Sequence, residues 1–285
     1  VKAILLTTLI FELAGAALSF LVFVQDYPPV RALGISLFHS IAAFNNSGFE
    51  ILGNFQNLIP YRDDLLLNLV TCGLIFFGGI GFLVIREVWQ KRFCWRKLSM
   101  HSRVVISVSV VLIVSARTAG FSTYPLGEFN DTGLLVLAVL MFIGASPGST
   151  GGGIKTSTFF ALIQGIKSAA TNKSEKAFRF AVPRDAFRKA SVITLLALCV
   201  VIVGTYLMLI FDPQVTSMQA LFEVVSAFGT VGLSTGITAG LSDASKLLSI
   251  LIMYIGRLGP LTIASMWYFS HGERTRFPDG NLAIG

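Results

Sequence analysis

Apolar residues run together in long blocks along this chain, and the blocks differ in length in an informative way. Leu65 to Ile85 and Ala190 to Phe211 carry no charge, Ala3 to Val24 is broken only by Glu12, and Leu247 to Phe269 only by Arg257. About 20 apolar residues rising ~1.5 Å each cross a hydrocarbon layer ~30 Å thick, so each block predicts a spanning helix. Thr132 to Ile154 is also uncharged, but its second half reads GASPGSTGGG, which breaks a helix. Val104 to Ala116 is apolar and too short to cross alone. Leu33 to Phe44 and Met218 to Phe228 are half-length runs, each ending in a polar stretch that contains glycine. Such a run can enter a bilayer and turn back only where its freed backbone lines a water-filled cavity. The pattern predicts an all-α membrane protein with half-helices around a pore.

Composition supports this. Hydrophobic residues make up 54% and charged residues 13% of the 285, against roughly a quarter charged in a soluble domain. Soluble and disordered classes are both excluded, because so much apolar surface cannot stay hydrated. The net charge is +7, and its location says more than its size. Basic residues gather in the connectors Arg86 to Arg103 and Lys167 to Lys189 and at Arg274 and Arg276, which predicts a cytoplasmic side for these segments. Asp26, Glu128, Asp131, Asp212 and Asp243 mark the opposite side. The basic runs therefore read as topology signals that also attract anionic lipid, and no nucleic-acid partner is expected. Cys72, Cys94 and Cys199 have no metal-ligand spacing and read as packing residues. The chain opens at Val1 inside an apolar segment without a signal-peptide pattern, and reads as a fragment or a processed form.

Internal repeats set the organisation. Ala43-Phe-Asn-Asn-Ser-Gly48-Phe aligns with Ala227-Phe-Gly-Thr-Val-Gly232-Leu, and Ser115-Ala-Arg-Thr-Ala-Gly120-Phe with both. Downstream, Phe77-Gly78-Gly-Ile-Gly81, Ile143-Gly144-Ala-Ser-Pro-Gly148 and Ile255-Gly256-Arg-Leu-Gly259 form a second aligned set. The unit is span, half-helix, glycine strand, span. Expected units cover 1–98, 99–183 and 184–272, followed by a tail at 273–285. The middle unit is short: Val104 to Gly120 leaves no room for a half-helix and its connector.

A glycine strand after a half-helix suits cation chemistry. Rows of backbone carbonyls can replace a cation's water shell, glycine permits the backbone angles this needs, and the carboxyl end of a helix carries negative dipole charge. Taken singly, each strand would read as an ordinary turn. Three aligned copies favour a filter.

RTAGFST, SAFGTVGLSTG, SPGSTGGGIKT and IGRLGPLT resemble segments of the Trk/Ktr/HKT superfamily of potassium transporters, and the closest likeness is to the Ktr-type pore-forming subunit. Phe277-Pro-Asp-Gly280 resembles the tail of that subunit. The likeness runs through nearly the whole chain and covers the second, third and fourth of the family's four pseudo-fourfold units, without the first. It implies a filter of Asn46, Ser47, Gly48, Thr118, Ala119, Gly120, Thr230, Val231 and Gly232, holding potassium, or sodium as the alternative or accompanying ion, through backbone carbonyls, with no covalent cofactor. It implies an intramembrane gate loop at 144–156 with Gly144, Ser146, Gly148, Gly151, Gly152, Gly153 and Lys155, held by Arg257 from the last span. Arg117 is expected to tie filter backbone rather than touch the ion. Implied partners are a second copy of the chain, membrane lipid and cytosolic nucleotide-binding regulatory subunits. The implied location is the plasma membrane, crossed several times.

Two further readings stay open on sequence alone. The missing pieces fit a non-conducting or truncated paralogue with a structural or regulatory role. Gly144-Ala-Ser146-Pro-Gly148 matches the G-x-S-x-G elbow of hydrolases, which needs a histidine partner from His39, His101 or His271. GSTGGGIKT fails the phosphate-loop pattern, because Ile154 separates Gly153 from Lys155. Glu223 and His39 occupy equivalent repeat positions and read as hydrogen-bonded structural groups, with a proton relay the weaker role for Glu223.

Overall fold

The computed structural model describes residues 2–53, 57–92, 94–112, 120–171, 176–178, 180–183, 185–259 and 262. Ten helices supply nearly all regular structure among them. The first group is α1 (Lys2–Phe23), α2 (Pro29–Phe44), α3 (Leu65–Ile80) and α4 (Phe82–Gln90). The middle of the chain gives α5 (Met100–Leu112), α6 (Asp131–Phe142) and α7 (Thr156–Thr171), and the last part α8 (Ala186–Phe211), α9 (Ser217–Gly229) and α10 (Asp243–Leu258). One short antiparallel hairpin, β1 (Lys176–Ala177) and β2 (Phe180–Ala181), lies in the second basic connector. The all-α class read from the sequence holds.

Local chemistry starts the helices. Asp64 accepts the Leu67 N–H at 2.6 Å ahead of α3, and Asn130 accepts the Gly133 N–H at 2.8 Å ahead of α6. Thr216 and Gln219 form a reciprocal capping box at α9, and Pro29 opens α2, where a missing N–H costs nothing. The half-length runs thus become α2 and α9, both of which stop at the glycine strands.

Two helices, Ile4–Phe23 and Ala186–Phe211, are each long and apolar enough to cross a bilayer. The run Leu65 to Ile85 does not form the single span its hydropathy suggests: it is bent by 94° between α3 and α4. The break falls at Gly81, whose φ of 87° is open to glycine and strained for other residues. Gly259, its repeat equivalent, ends α10 with φ 89°. Helix α10 ends at Leu258; of the expected span to Phe269 only Gly259 and Thr262 are described beyond it, and the tail at 273–285 lies outside the described residues.

Packing repeats as the sequence does. The half-helix α2 packs against α1 and α3, and α9 packs against α8 and α10, with α6 also against it. In both groups the half-helix ends on a bare patch of the following span. A Cβ on Gly78 would lie 1.8 Å from the Phe44 carbonyl oxygen, and one on Gly256 1.8 Å from the Phe228 carbonyl oxygen. The aligned pairs Phe44/Gly78 and Phe228/Gly256 are one contact made twice. Between helices in lipid, close packing rather than transfer from water supplies the attraction, which is why small residues mark these crossings. Phe222, Val224, Phe228 and Val231 are fully buried with Met141, Met208 and Ile252.

Past the bend, Glu87 ties α4 to α5. Its carboxylate accepts hydrogen bonds from Lys91 at 2.5 Å, the Ser99 N–H at 2.7 Å, the Ser99 hydroxyl at 2.6 Å and the Ser102 hydroxyl. Burial alone would raise its pKa, but these donors outweigh it and pull the group down to about 2. A carboxylate depressed below its unfolded value of ~4.3 adds stability that is complete above that value and is lost as pH falls toward 2. The thermal midpoint in detergent should therefore fall on acidification from about pH 5 to 3, and Glu87→Gln should flatten part of that fall. An identical fall in the variant excludes the role.

Candidate functional site

The glycine strands meet. A Cβ placed on Gly120 would stand 2.9 Å from the Gly48 Cα, 3.3 Å from the Gly232 Cα and 2.6 Å from the Val231 carbonyl oxygen. One on Gly232 would lie 3.5 Å from the Gly120 Cα and 3.6 Å from the Ser47 oxygen. Residues far apart in sequence and aligned only by repeat thus share one point, and the Ser47 and Val231 carbonyls face it. Asn46 and Val231 are buried, while Gly232 is exposed. Thr118 and Ala119, with Arg117, lie outside the described residues.

Backbone strain marks the entry to two strands. Asn46 has φ 50° and Thr230 has φ 52°, at the same repeat position. Asparagine tolerates the left-handed region, but a β-branched threonine there is a true outlier, costing of order 1–3 kcal/mol. Such strain persists only where surrounding contacts enforce it.

Here it is helix-end geometry, closed by the Ser47 N–H to the Ala42 carbonyl at 2.9 Å and the Val231 N–H to the Ser226 carbonyl at 2.8 Å; further contacts come from the loop between α6 and α7. Its ends are stitched by a parallel bridge between Ile143 and Ile154, by Gly144 N–H to the Ile154 carbonyl at 2.8 Å, and by Ile154 N–H to the Phe142 carbonyl at 3.2 Å. A Cβ on Gly144 would lie 1.8 Å from the Gly152 oxygen, so the two sides of the loop are in direct contact. The Asn46 amide donates to the Thr150 hydroxyl at 2.9 Å, and the Gly152 N–H donates to the Thr230 hydroxyl at 2.9 Å. Ser146 N–H reaches the Gly79 carbonyl at 3.1 Å. A Cβ on Gly81, at the bend, would stand 2.9 Å from the Pro147 carbonyl oxygen. The loop is thus seated against the first and last repeats together.

Of the remaining residues expected here, Gly151, Gly152 and Gly153 are buried and Gly148 is exposed. Lys155 clasps the loop from within, donating to the Gly151 carbonyl at 2.7 Å. Arg257 lies at the carboxyl end of α10. Its side chain is exposed on the last turn of α10, close enough to Lys155 for the two positive charges to oppose each other, and among the described residues it makes no hydrogen bond to the loop. Ser146 is fully buried and receives a hydrogen bond from Thr156 at 3.0 Å, while His39 is bonded to Thr71 at 2.9 Å. The hydrolase elbow therefore has neither an accessible serine nor His39 to activate it.

Three supporting residues complete the site. Glu223, in the middle of α9, accepts from the Thr235 N–H and the Thr238 hydroxyl, both at 3.1 Å, and from Ser234. It thereby fixes the segment that leaves the third strand. His39 holds α2 to α3; because the Thr71 hydroxyl already donates to Leu67, Nε2–H of His39 is the donor. Asn57 was not legible beforehand: its amide donates to the Gly120 carbonyl at 2.8 Å, and Leu58 N–H reaches the Ser122 carbonyl at 3.2 Å. Its φ of 51° was a possible cue only in the structure.

The model of a cation transport protein family, TrkH, matches residues 1–103 and 92–270. The chain belongs to this family. The two matched stretches overlap at 92–103, at the entry to the short middle unit. The Ktr system potassium uptake protein B of Bacillus subtilis (strain 168) is 32% identical over an alignment of 320 positions that covers 100% of this chain and 71% of that protein. The protein of the same description from Vibrio alginolyticus is 30% identical over 324 positions, covering 100% of this chain and 70% of that protein. Both alignments are longer than the 285-residue chain, so each relative carries positions that this TrkH-family chain lacks. In fold it resembles the crystal structure of the potassium transporter TrkH from Vibrio parahaemolyticus, with TM-score 0.72 and 17% identity over 94% of this chain and 64% of that one. These likenesses are to membrane transporters and not to enzymes, and the chain is a membrane transport protein of this class.

Proposed function

We propose that this chain is the pore-forming part of a potassium uptake system of the plasma membrane, conducting dehydrated monovalent cations past the strands Asn46–Gly48, Thr118–Gly120 and Thr230–Gly232. The observation that carries this reading is the meeting of Gly48, Gly120 and Gly232 at one point, with the 144–156 loop seated against two of their strands. Half-helix ends α2 and α9 direct negative dipole charge there, and the Ser47 and Val231 carbonyls face it, which suits a cation. The loop is the gate in this reading. Lys155 and Arg257 add positive charge beside it and form part of the barrier. The pore units are those given above, 1–98, 99–183 and 184–272.

Gly120 touches both neighbours, and its carbonyl is occupied by the Asn57 amide. Those two observations favour a second reading, a non-conducting paralogue with a structural role. Names of the relatives, potassium uptake proteins in each case, support the first. Partners in the first reading are a second copy of the chain, and cytosolic nucleotide-binding subunits meeting the basic connectors.

Purified chain in liposomes loaded with potassium salt separates the two. Selective potassium or rubidium flux that Gly232→Val abolishes, with sodium as competitor, supports the pore. Flux absent from the unmodified protein, or unaffected by the substitution, overturns it in favour of the structural role.

A further inference from the structure

We propose that Thr150 latches the gate loop to the filter, acting together with the contact between Gly152 and Thr230; the inference rests on the filter-and-gate reading above. Asn46 and Thr230 hold the same place in their repeats and the same left-handed backbone, and each grips the loop by one hydrogen bond. Their partners, Thr150 and Gly152, are two residues apart. The loop therefore bridges the first and last strands with alternate residues, one through a side chain and one through backbone.

The hydroxyl of Thr150 has a second role. Besides accepting from Asn46, it stands 3.4 Å from the Phe44 carbonyl and 3.4 Å from the Gly78 carbonyl. Phe44 and Gly78 are residues at which the end of half-helix α2 meets span α3. One hydroxyl thus senses the strand entry, the half-helix end and the span together. Asn46 depends on it in return: its Oδ1 is buried without a partner, so among the described residues Thr150 provides the side chain's hydrogen bond. The loop cannot leave this position without breaking both grips.

Two readouts test the latch: rubidium flux in liposomes, and the rate at which a thiol reagent applied from the cytoplasmic side labels Ser149→Cys in a background where Cys72, Cys94 and Cys199 are serine. Thr150→Val keeps the shape and removes the hydroxyl. It should raise labelling and flux by about twofold to tenfold, the range of one net hydrogen bond. Thr150→Ser should return both to the unmodified values, and Thr150→Ala is a second truncation should the valine protein fail to fold. An unchanged labelling rate in the truncated protein overturns the latch. Faster labelling without flux in any protein supports the latch and overturns the filter reading instead.

Discussion

Gly120→Ala should abolish cation uptake, the largest functional effect of any single methyl in this chain. The added carbon would sit 2.6 Å from the Val231 oxygen and 2.9 Å from the Gly48 Cα. Both are backbone atoms of neighbouring strands, so no side chain can rotate out of the way. The residue's φ of 68° adds strain that alanine meets and glycine does not. Pushing either strand outward misplaces the Ser47 and Val231 carbonyls by a sizeable fraction of an ion–oxygen distance. Rubidium flux should drop to background while the protein still inserts and elutes as the unmodified one does. Gly73→Ala is the control, because a Cβ there meets nothing within 4 Å. Retention of most of the flux by Gly120→Ala would remove the convergence of the strands from the conduction pathway.

Gly256→Ala should carry a large stability cost. Alanine is favoured over glycine inside a helix by up to about 1 kcal/mol, so helix propensity alone would strengthen α10. Geometry opposes this. The new methyl would lie 1.8 Å from the Phe228 carbonyl oxygen and 2.7 Å from its carbon, and α9 cannot back away while Phe228 itself is fully buried against its neighbours. Overpacking usually costs ~1–3 kcal/mol, and a backbone-on-backbone clash belongs at or above the upper end. A melting point lower by roughly 6–12 °C in detergent is expected, with Gly78→Ala showing a fall of the same size at the Phe44 carbonyl. A rise in melting point would mean that α9 and α10 separate more easily than their packing implies.

Legibility in the sequence followed the kind of constraint at each place. Half-helices α2 and α9 could be read because a run of half a bilayer crossing has few other uses, and their ends because glycine is required where backbones touch. Gly78 and Gly256 show this well: close approach leaves the same letter in both repeats. The bend at Gly81 was hidden for a related reason, since hydropathy averages over a single glycine and sees only a continuous apolar run. Its alignment with Gly259 was the available cue. Side-chain partnerships were less visible. Thr150 looked like one of several hydroxyls in a broken helix, because its value depends on Asn46, distant in sequence and close only in space. Arg257 could be read from the sequence only as an intramembrane charge in need of a setting, whereas the clasp of Lys155 on the Gly151 carbonyl depends on how the loop folds back. Asn57 carries no pattern of its own and emerges only through the Gly120 carbonyl it meets.

The grips on the loop also set an order of assembly. Thr150 finds Asn46 104 residues behind it, already synthesised, whereas Gly152 must wait for Thr230, 78 residues ahead. Because chains emerge amino-terminus first, the contact with Asn46 is available as soon as the loop is made, whereas the contact with Thr230 has to wait for synthesis of α9, so full seating of the loop requires the final repeat.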